Sequence, residues 1–231
     1  MKKIRGMNEI AWLLGILICA LGVALCTKAD FGLSMIAAPA YILHVALRDI
    51  FPLFSQGTSE YVIQGLILVI LCVIVRRFRG KYIFSFVTAV LFGFALDLWI
   101  FVFGGNGAYE ELWQRIVAFA AGEITTAVAI AFFFRTTMPL QVYELTVCEI
   151  ADKFGKDKNK VKLFFDITMF LLSGVMSLVL TGGFNGFGIG TIIIVIVNAP
   201  LITLFGKVLD KFFVFDSLFK ISTEPNNDEK I

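Results

Sequence analysis

Apolar residues in this chain do not alternate or repeat at short helical spacing over a polar background; they form long runs with polar residues confined to the gaps. Six runs approach the roughly 20 residues that a helix needs to cross a hydrocarbon core of about 30 Å. They are Ile10–Cys26, Tyr61–Val75, Tyr82–Phe103, Leu112–Phe134, Leu163–Leu180 and Phe187–Phe205. Two shorter segments lie between them. Gly32–Leu47 is nearly all apolar with Pro39 inside it, too short to span as a helix, and reads as re-entrant or buried at the outer face. Leu140–Phe154 places Leu140, Tyr143, Val147, Ile150 and Phe154 at spacings of three and four, with Glu144, Glu149 and Asp152 elsewhere around the helix. That stripe reads first as an interfacial helix on the cytoplasmic leaflet, with a segment dipping into the protein as the alternative.

Composition agrees with the pattern. Of 231 residues, 58% are apolar and only 16% charged, against about a quarter charged in soluble domains. A soluble enzyme, a nucleic-acid-binding domain and a disulfide-stapled secreted module are thereby excluded as readings. Cys19, Cys26, Cys72 and Cys148 sit singly in apolar runs and read as small core residues, and His44 stands alone, so no metal cluster is expected. Charge placement sets an orientation. With the N-terminus inside, every Lys and Arg except Lys28, Arg48 and Arg115 falls on the cytoplasmic side, as the excess of basic residues in cytoplasmic loops requires. Both termini are expected in the cytoplasm of a bacterial cell, with residues 208–231 as a cytoplasmic tail.

The order of span, short segment, span, span occurs twice. Ala24 to Leu33 lies over Ala131 to Leu140 at an offset of 107, and Ser85 to Asp97 over Thr191 to Thr203 at an offset of 106. Three spans per half is odd, so the second half must run upside down. The expected fold is an all-α integral membrane protein of six transmembrane helices plus two short helices. It forms one polytopic domain of two inverted three-span repeats, residues about 10–103 and 117–207, an arrangement that recurs in secondary transporters with the site near midplane.

The stretch Leu21-Gly-Val-Ala-Leu-Cys-Thr-Lys28-Ala-Asp-Phe-Gly32-Leu33-Ser34, the Gly93-x-x-x-Asp97 step and Gly188-Ile-Gly190-Thr191 resemble the YczE/YyaS/YitT-type bacterial membrane proteins. The resemblance covers most of the chain from about Gly15 to Phe205 and implies a duplicated multipass protein of the plasma membrane, in a family without an established activity. This chain departs from the pattern at Met35 and Ile36, where Pro and an acid commonly follow Gly-Leu-Ser, and at Ala199, which stands for a Gly before Pro200.

Ionisable groups inside a span are costly and mark interiors or water-filled paths. Asp97 lies near the level of Lys28, and Asp166 near that of Arg135, so each acid is expected to pair with that base. Glu123 falls near midplane with no base at its level, which suits a proton-coupling or cation-binding group or a neutral hydrogen-bonded acid. Lys28 and Arg135 also precede the starts of the short helices, a setting that attracts anions. Asn198-Ala-Pro200 interrupts the sixth span and suggests a kink with freed carbonyls. No nucleophile and base, phosphate loop or zinc spacing is present, so catalysis is the least expected function, and no cofactor is expected.

A secondary transporter or facilitator of a small solute is therefore expected, with Glu123, Asp97, Lys28, Arg135, Asp166 and Asn198 along the pathway. The alternatives are a non-transporting accessory protein and a substrate-binding subunit of a larger transporter. Expected partners are the lipid bilayer and an unidentified solute, with a second copy of the chain or a partner membrane protein left open.

Overall fold

The structure is a computed structural model that describes residues 8–105, 107–183, 185–213 and 215. Its regular elements are helices: α1 (Asn8–Ala29), α2 (Ala38–Leu47), α3 (Gln56–Val75), α4 (Gly80–Val102), α5 (Leu112–Phe133), α6 (Val142–Phe154), α7 (Lys158–Met176, continued by a π-helical turn Ser177–Thr181) and α8 (Ile189–Phe212). Six of them, all but α2 and α6, are long and apolar enough to cross a membrane among the described residues. The chain is a multipass membrane protein of the expected span number. The sixth span runs on to Phe212, so the start of the expected tail is helical, while most of it lies outside the described residues.

Local chemistry fixes the ends. The Ser55 hydroxyl accepts the Thr58 amide at the start of α3 (2.9 Å), and Asp157 accepts that of Lys160 at the start of α7 (3.1 Å), each meeting a donor that the first turn leaves free. Pro39 occupies the first turn of α2, where its missing N–H costs nothing. Pro200 lies inside α8 and withholds an N–H from the Ile196 carbonyl, yet the helix continues through it.

The centre of the molecule is the antiparallel pair α1 and α5. They cross backbone to backbone at two glycines: a β-carbon on Gly22 would stand 2.8 Å from the Gly122 carbonyl, and one on Gly122 would stand 2.8 Å from that of Gly22. Small residues permit this approach between helices that have no water to exclude. Along the same crossing Gly15 faces the Phe133 ring and Gly122 faces the Cys26 sulfur. At the two ends, Asn8 accepts from Thr136 and Thr137 just past α5, while Arg115 donates to the carbonyls of Ala29 and Asp30 just past α1. Helix α4 packs on α1 and α3, and α8 on α5; α7 packs on α2 and α6 and does not approach α8. Large apolar residues such as Val69, Phe94, Phe164, Val179 and Ile196 are left on the outside, as lipid contact requires.

Both short helices begin in the interior. The chain leaves α1 at Ala29, turns through Asp30 and Gly32 in the left-handed region (φ 52° and 107°), and enters the molecule until Ala37 joins the cluster of Ile16, Cys19, Ala20, Phe92 and Leu96. Helix α2 then returns to the same face. After α5 the chain dives from the opposite face, and Leu140 packs against that same cluster. Val142 opens α6 beside Gln64, eight residues or about 12 Å along α3. The surface placement favoured by the stripe of α6 is therefore corrected: Val142, Tyr143 and Thr146 are buried, because the positions between the apolar ones are covered by α3 and α4.

The close crossing makes a sharp expectation. Gly122→Val puts side-chain carbon into occupied space and is expected to destabilise the protein by at least about 1–3 kcal/mol, whereas Gly174→Val, with open space around it, is expected to be neutral. Thermal unfolding of the detergent-solubilised variants checks this; equal melting temperatures for the two would show that the helices do not touch there.

Candidate functional site

Helix α3 carries the polar interior. Gln56, Glu60 and Gln64 recur at intervals of four, so they stack on one face, and all three are at most 1% exposed. Gln64 meets the start of α6 twice: its Oε1 accepts the Val142 amide (3.2 Å) and its Nε2 donates to Gln141 Oε1 (3.3 Å). Tyr143 donates its hydroxyl to Glu60 Oε2 (3.1 Å), and Glu60 Oε1 has no partner among the described residues. Gln56 Nε2 donates to Thr27 Oγ1 (3.0 Å), and its Oε1 is likewise unpartnered. The start of α6, a buried carboxyl and two buried amides thus form one file, with the start of α2 packed nearby through Ala40, Ile63 and Tyr143.

Two cavities lie on opposite faces; the first meets the file at Gln56, and the second is separated from Gln64 by about three turns of α3 and the buried cluster of Leu71, Tyr82 and Leu145. On the face where α3 starts, a cavity of about 240 Å³ is lined by Thr27, Tyr41, His44, Arg48 and Gln56 among others. On the opposite face, one of about 340 Å³ is lined by Arg77, Arg79, Glu149, Asp152 and Lys153. Glu149 gathers partners there: Tyr82 donates to its Oε2 (2.7 Å), Arg79 lies 3.3 Å from Oε1, and Lys81 closes on the same oxygen. Burial pushes the Glu149 carboxyl up, but the hydrogen bonds from Lys81 and Tyr82 and the charges of Lys81 and Arg79 outweigh it and hold the group below its ordinary value.

The residues expected from the sequence divide. Lys28 does not pair with Asp97. Its ammonium donates to the Gly105 carbonyl (2.9 Å) and lies over the Tyr109 ring, because the chain past α4 folds back across the end of α1. Asp97 instead binds the start of α3, accepting from Ser55 Oγ (2.5 Å) and the Gly57 amide (2.8 Å), where a carboxylate complements the helix N-terminus. Arg135 does not pair with Asp166 either. It makes a two-pronged contact with Asp210 (2.6 and 2.7 Å) on the extended α8, while Asp166 meets Lys162 one turn away on its own helix (3.3 Å). Asn198 is partly buried with an unpartnered Oδ1. Glu123 is 5% exposed, with an unpartnered Oε1 and no ion pair among the described residues, and it stands one residue from the Gly22–Gly122 crossing, apart from the bonded file on α3.

Glu60, Gln56, Gln64, Gln141 and Tyr143 were missed. The second apolar run, Tyr61–Val75 with an extension through Gly57 open, contains Gln64 and reaches Glu60, but hydropathy does not mark them as one face. The signal is the fourfold spacing of Gln56, Glu60 and Gln64 on a helix that is otherwise mostly apolar.

A model of the family of unknown function DUF6198 matches residues 7–207. The chain belongs to that family. It is also 24% identical over 212 residues to the uncharacterized protein YyaS of Bacillus subtilis (strain 168), covering 90% of this chain and 96% of the relative, in line with the resemblance seen in its motifs. No solved structure matches the chain.

The Glu149 cluster gives a prediction with a definite sign. A carboxyl whose folded pKa is depressed stabilises fully above its unfolded value, near about 4.3, and loses that contribution as pH falls through the folded value. Glu149→Gln keeps an acceptor for Tyr82 and loses the ion pairs, so a deficit of about 1–2 kcal/mol is expected at neutral pH. The deficit should close below about pH 4. A gap of constant size down to pH 3 would contradict the assignment.

Proposed function

We propose that the protein is a secondary transporter or facilitator of a small solute in the bacterial plasma membrane, with both termini cytoplasmic and the pathway between two inverted three-span halves. The observation that carries this reading is the file Gln56, Glu60, Gln64, Gln141 and Tyr143, a buried polar line that leads inward from a cavity on one face to the start of α6. Irregular backbone at membrane depth is tolerated where it is covered by protein or lines a pathway, and half-helices that begin at midplane supply solute sites in transporters.

Equivalent contacts support the inversion. A shift of 107 residues carries Asn8 to Arg115, and Asp30 to Thr137. The contact of Asn8 with Thr137 thus has its counterpart in that of Arg115 with Asp30. The same shift turns the approach of Gly15 to Phe133 into that of Gly122 to Cys26. Lys28 and Arg135, also 107 apart, each reach from the end of a half's first span to the end of its last. The antiparallel course of α1 and α5 is what an inversion requires. The orientation is supported by the gathering of Arg79, Lys81 and Lys153 on the face where α1 starts, through Glu149 and the end of α3.

The test needs no knowledge of the solute. With the four native cysteines replaced, Gln64→Cys is expected to react with impermeant thiol reagents added to either side of sealed vesicles; a thiol reached from neither side would remove the pathway and favour an accessory role. In proteoliposomes, uptake from a panel of labelled small solutes should exceed that of empty vesicles and fall at least about tenfold in Glu60→Gln, the size of one hydrogen bond to a charged group. Glu123, with its unpartnered carboxyl, is assigned proton coupling. Glu123→Gln should lose pH-driven uptake and keep exchange of labelled solute, and full pH-driven uptake by that variant would return Glu123 to a structural role.

A further inference from the structure

The cavity at the start of α3 can be read by asking which of its groups donate and which accept. His44 Nδ1 lies 2.9 Å from the Phe54 carbonyl. A carbonyl only accepts, so Nδ1 carries the hydrogen, and Nε2 is an acceptor whenever the ring carries that one hydrogen alone. Thr27 donates its hydroxyl hydrogen to the Val23 carbonyl (3.0 Å). It must therefore accept from Gln56, which fixes the amide with Nε2 toward Thr27 and Oε1 free. Both free atoms are buried without a partner, on side chains 3% and 1% exposed that line the cavity. One turn further along α3, Glu60 Oε1 is a third buried polar atom without a hydrogen-bond partner among the described residues. Buried polar atoms left without a partner among the described residues are a costly arrangement, since each orphaned group forfeits about 1–3 kcal/mol of solvation.

The charged groups around the cavity are each engaged, Lys28 by the Gly105 carbonyl and the rest by opposite charges or a helix start. The last turn of α2, which contains His44, ends at this cavity, and the carbonyl end of a helix favours a cation. The start of α3 by itself favours an anion, but Asp97 already occupies it. Arg48 is matched by Asp49 (3.8 Å), and Arg115 by Asp30 (3.3 Å). We propose that this cavity binds a small molecule through an ammonium group bearing N–H donors, held by His44 Nε2 and Gln56 Oε1 and passed inward to Glu60. An ammonium brings up to three donors on one atom, whereas a hydroxyl brings one. A volume of about 240 Å³ restricts the ligand to a small amine or amino acid. The assignment names the substrate class of the proposed pathway and rests on that reading for its part in transport, though not for binding itself.

Binding to the folded protein must raise its melting temperature. The purified full-length protein is titrated with ethylammonium, tetramethylammonium, potassium and acetate at matched ionic strength. Ethylammonium is expected to give a saturable rise, with the other three at least about tenfold weaker, the worth of the lost N–H bonds to charged or buried acceptors. Gln56→Met, which keeps the volume and removes the acceptor, should weaken ethylammonium by about tenfold on the same grounds. The proposal is overturned if tetramethylammonium, potassium or acetate stabilises as well as ethylammonium, if ethylammonium gives no saturable rise, or if folded Gln56→Met binds unchanged. Should that variant not fold, the wild-type series decides alone. Ethylammonium binding without uptake of any solute would sink the transport reading and leave this site standing; uptake of another class with no ethylammonium binding would do the reverse.

Discussion

A peptide group held in hydrocarbon without a hydrogen-bond partner costs several kcal/mol, and this chain carries two non-helical stretches, 30–37 and 136–141, into its interior. Much of the rest of the structure answers that constraint. Pro139 has its carbonyl met by both Trp12 Nε1 (2.9 Å) and Thr88 Oγ1 (3.1 Å), the Thr137 amide is met by Asn8, and the Val142 amide by Gln64. On the other side Leu33 and Gly190 exchange bonds with Gly186 and Phe31, backbone to backbone. The polar side chains on α1, α3 and α4 are therefore partly structural: they are the partners that let a chain dive to midplane and turn back as a helix.

That double duty explains what could be read in advance. The six spans were legible because runs of Leu, Ile, Val and Phe leave no other folding choice, and the positions of α2 and α6 were legible because the runs between Gly32 and Leu47 and between Leu140 and Phe154 are too short to span. Their depth was not. A stripe on α6 looks the same whether the less apolar side meets water or meets Gln64, Glu60 and Tyr82, since hydropathy records the cost of leaving water and not the partner waiting inside. Ion pairing failed for a related reason. Level along a span was used to match Lys28 with Asp97 and Arg135 with Asp166, but depth says nothing of azimuth. Asp97 faces the start of α3, and Arg135 finds Asp210 only because α8 continues beyond its apolar run.

Charge in the molecule is sorted by depth. Lys28, Arg135, Arg115 and the Glu149 cluster sit where spans end, each tied to a carbonyl, a ring or an opposite charge, and they anchor helix ends as salt bridges and snorkelling side chains do. The interior holds carboxyls and amides without bases: Glu60 and Glu123 have no ion pair among the described residues. Apart from Lys28, which is engaged by the Gly105 carbonyl, the buried groups along α3 are amides and a carboxyl, a setting poorly suited to an anion despite the half-helix starts. On the proposed pathway, the unpartnered atoms of His44, Gln56 and Glu60 therefore weigh more than the helix dipoles do.

On the proposed repeat, the halves have not shared the work equally. The shift of 107 residues that equates the ends of α1 and α5 carries Gln56, Glu60 and Gln64 onto Leu163, Ile167 and Leu171 of α7, all three exposed apolar residues. Packing diverges at the same place, for α3 lies against α4 while α7 stands away from α8. A helix that carries buried amides must have that face covered, whereas one whose matching positions are leucine and isoleucine can turn them to lipid. The difference in sequence is thus the cause of the difference in packing. If one half moves against the other, α7 is the element free to do so, since lipid contacts exchange at little cost and the bonds between Gln64 and the start of α6 do not.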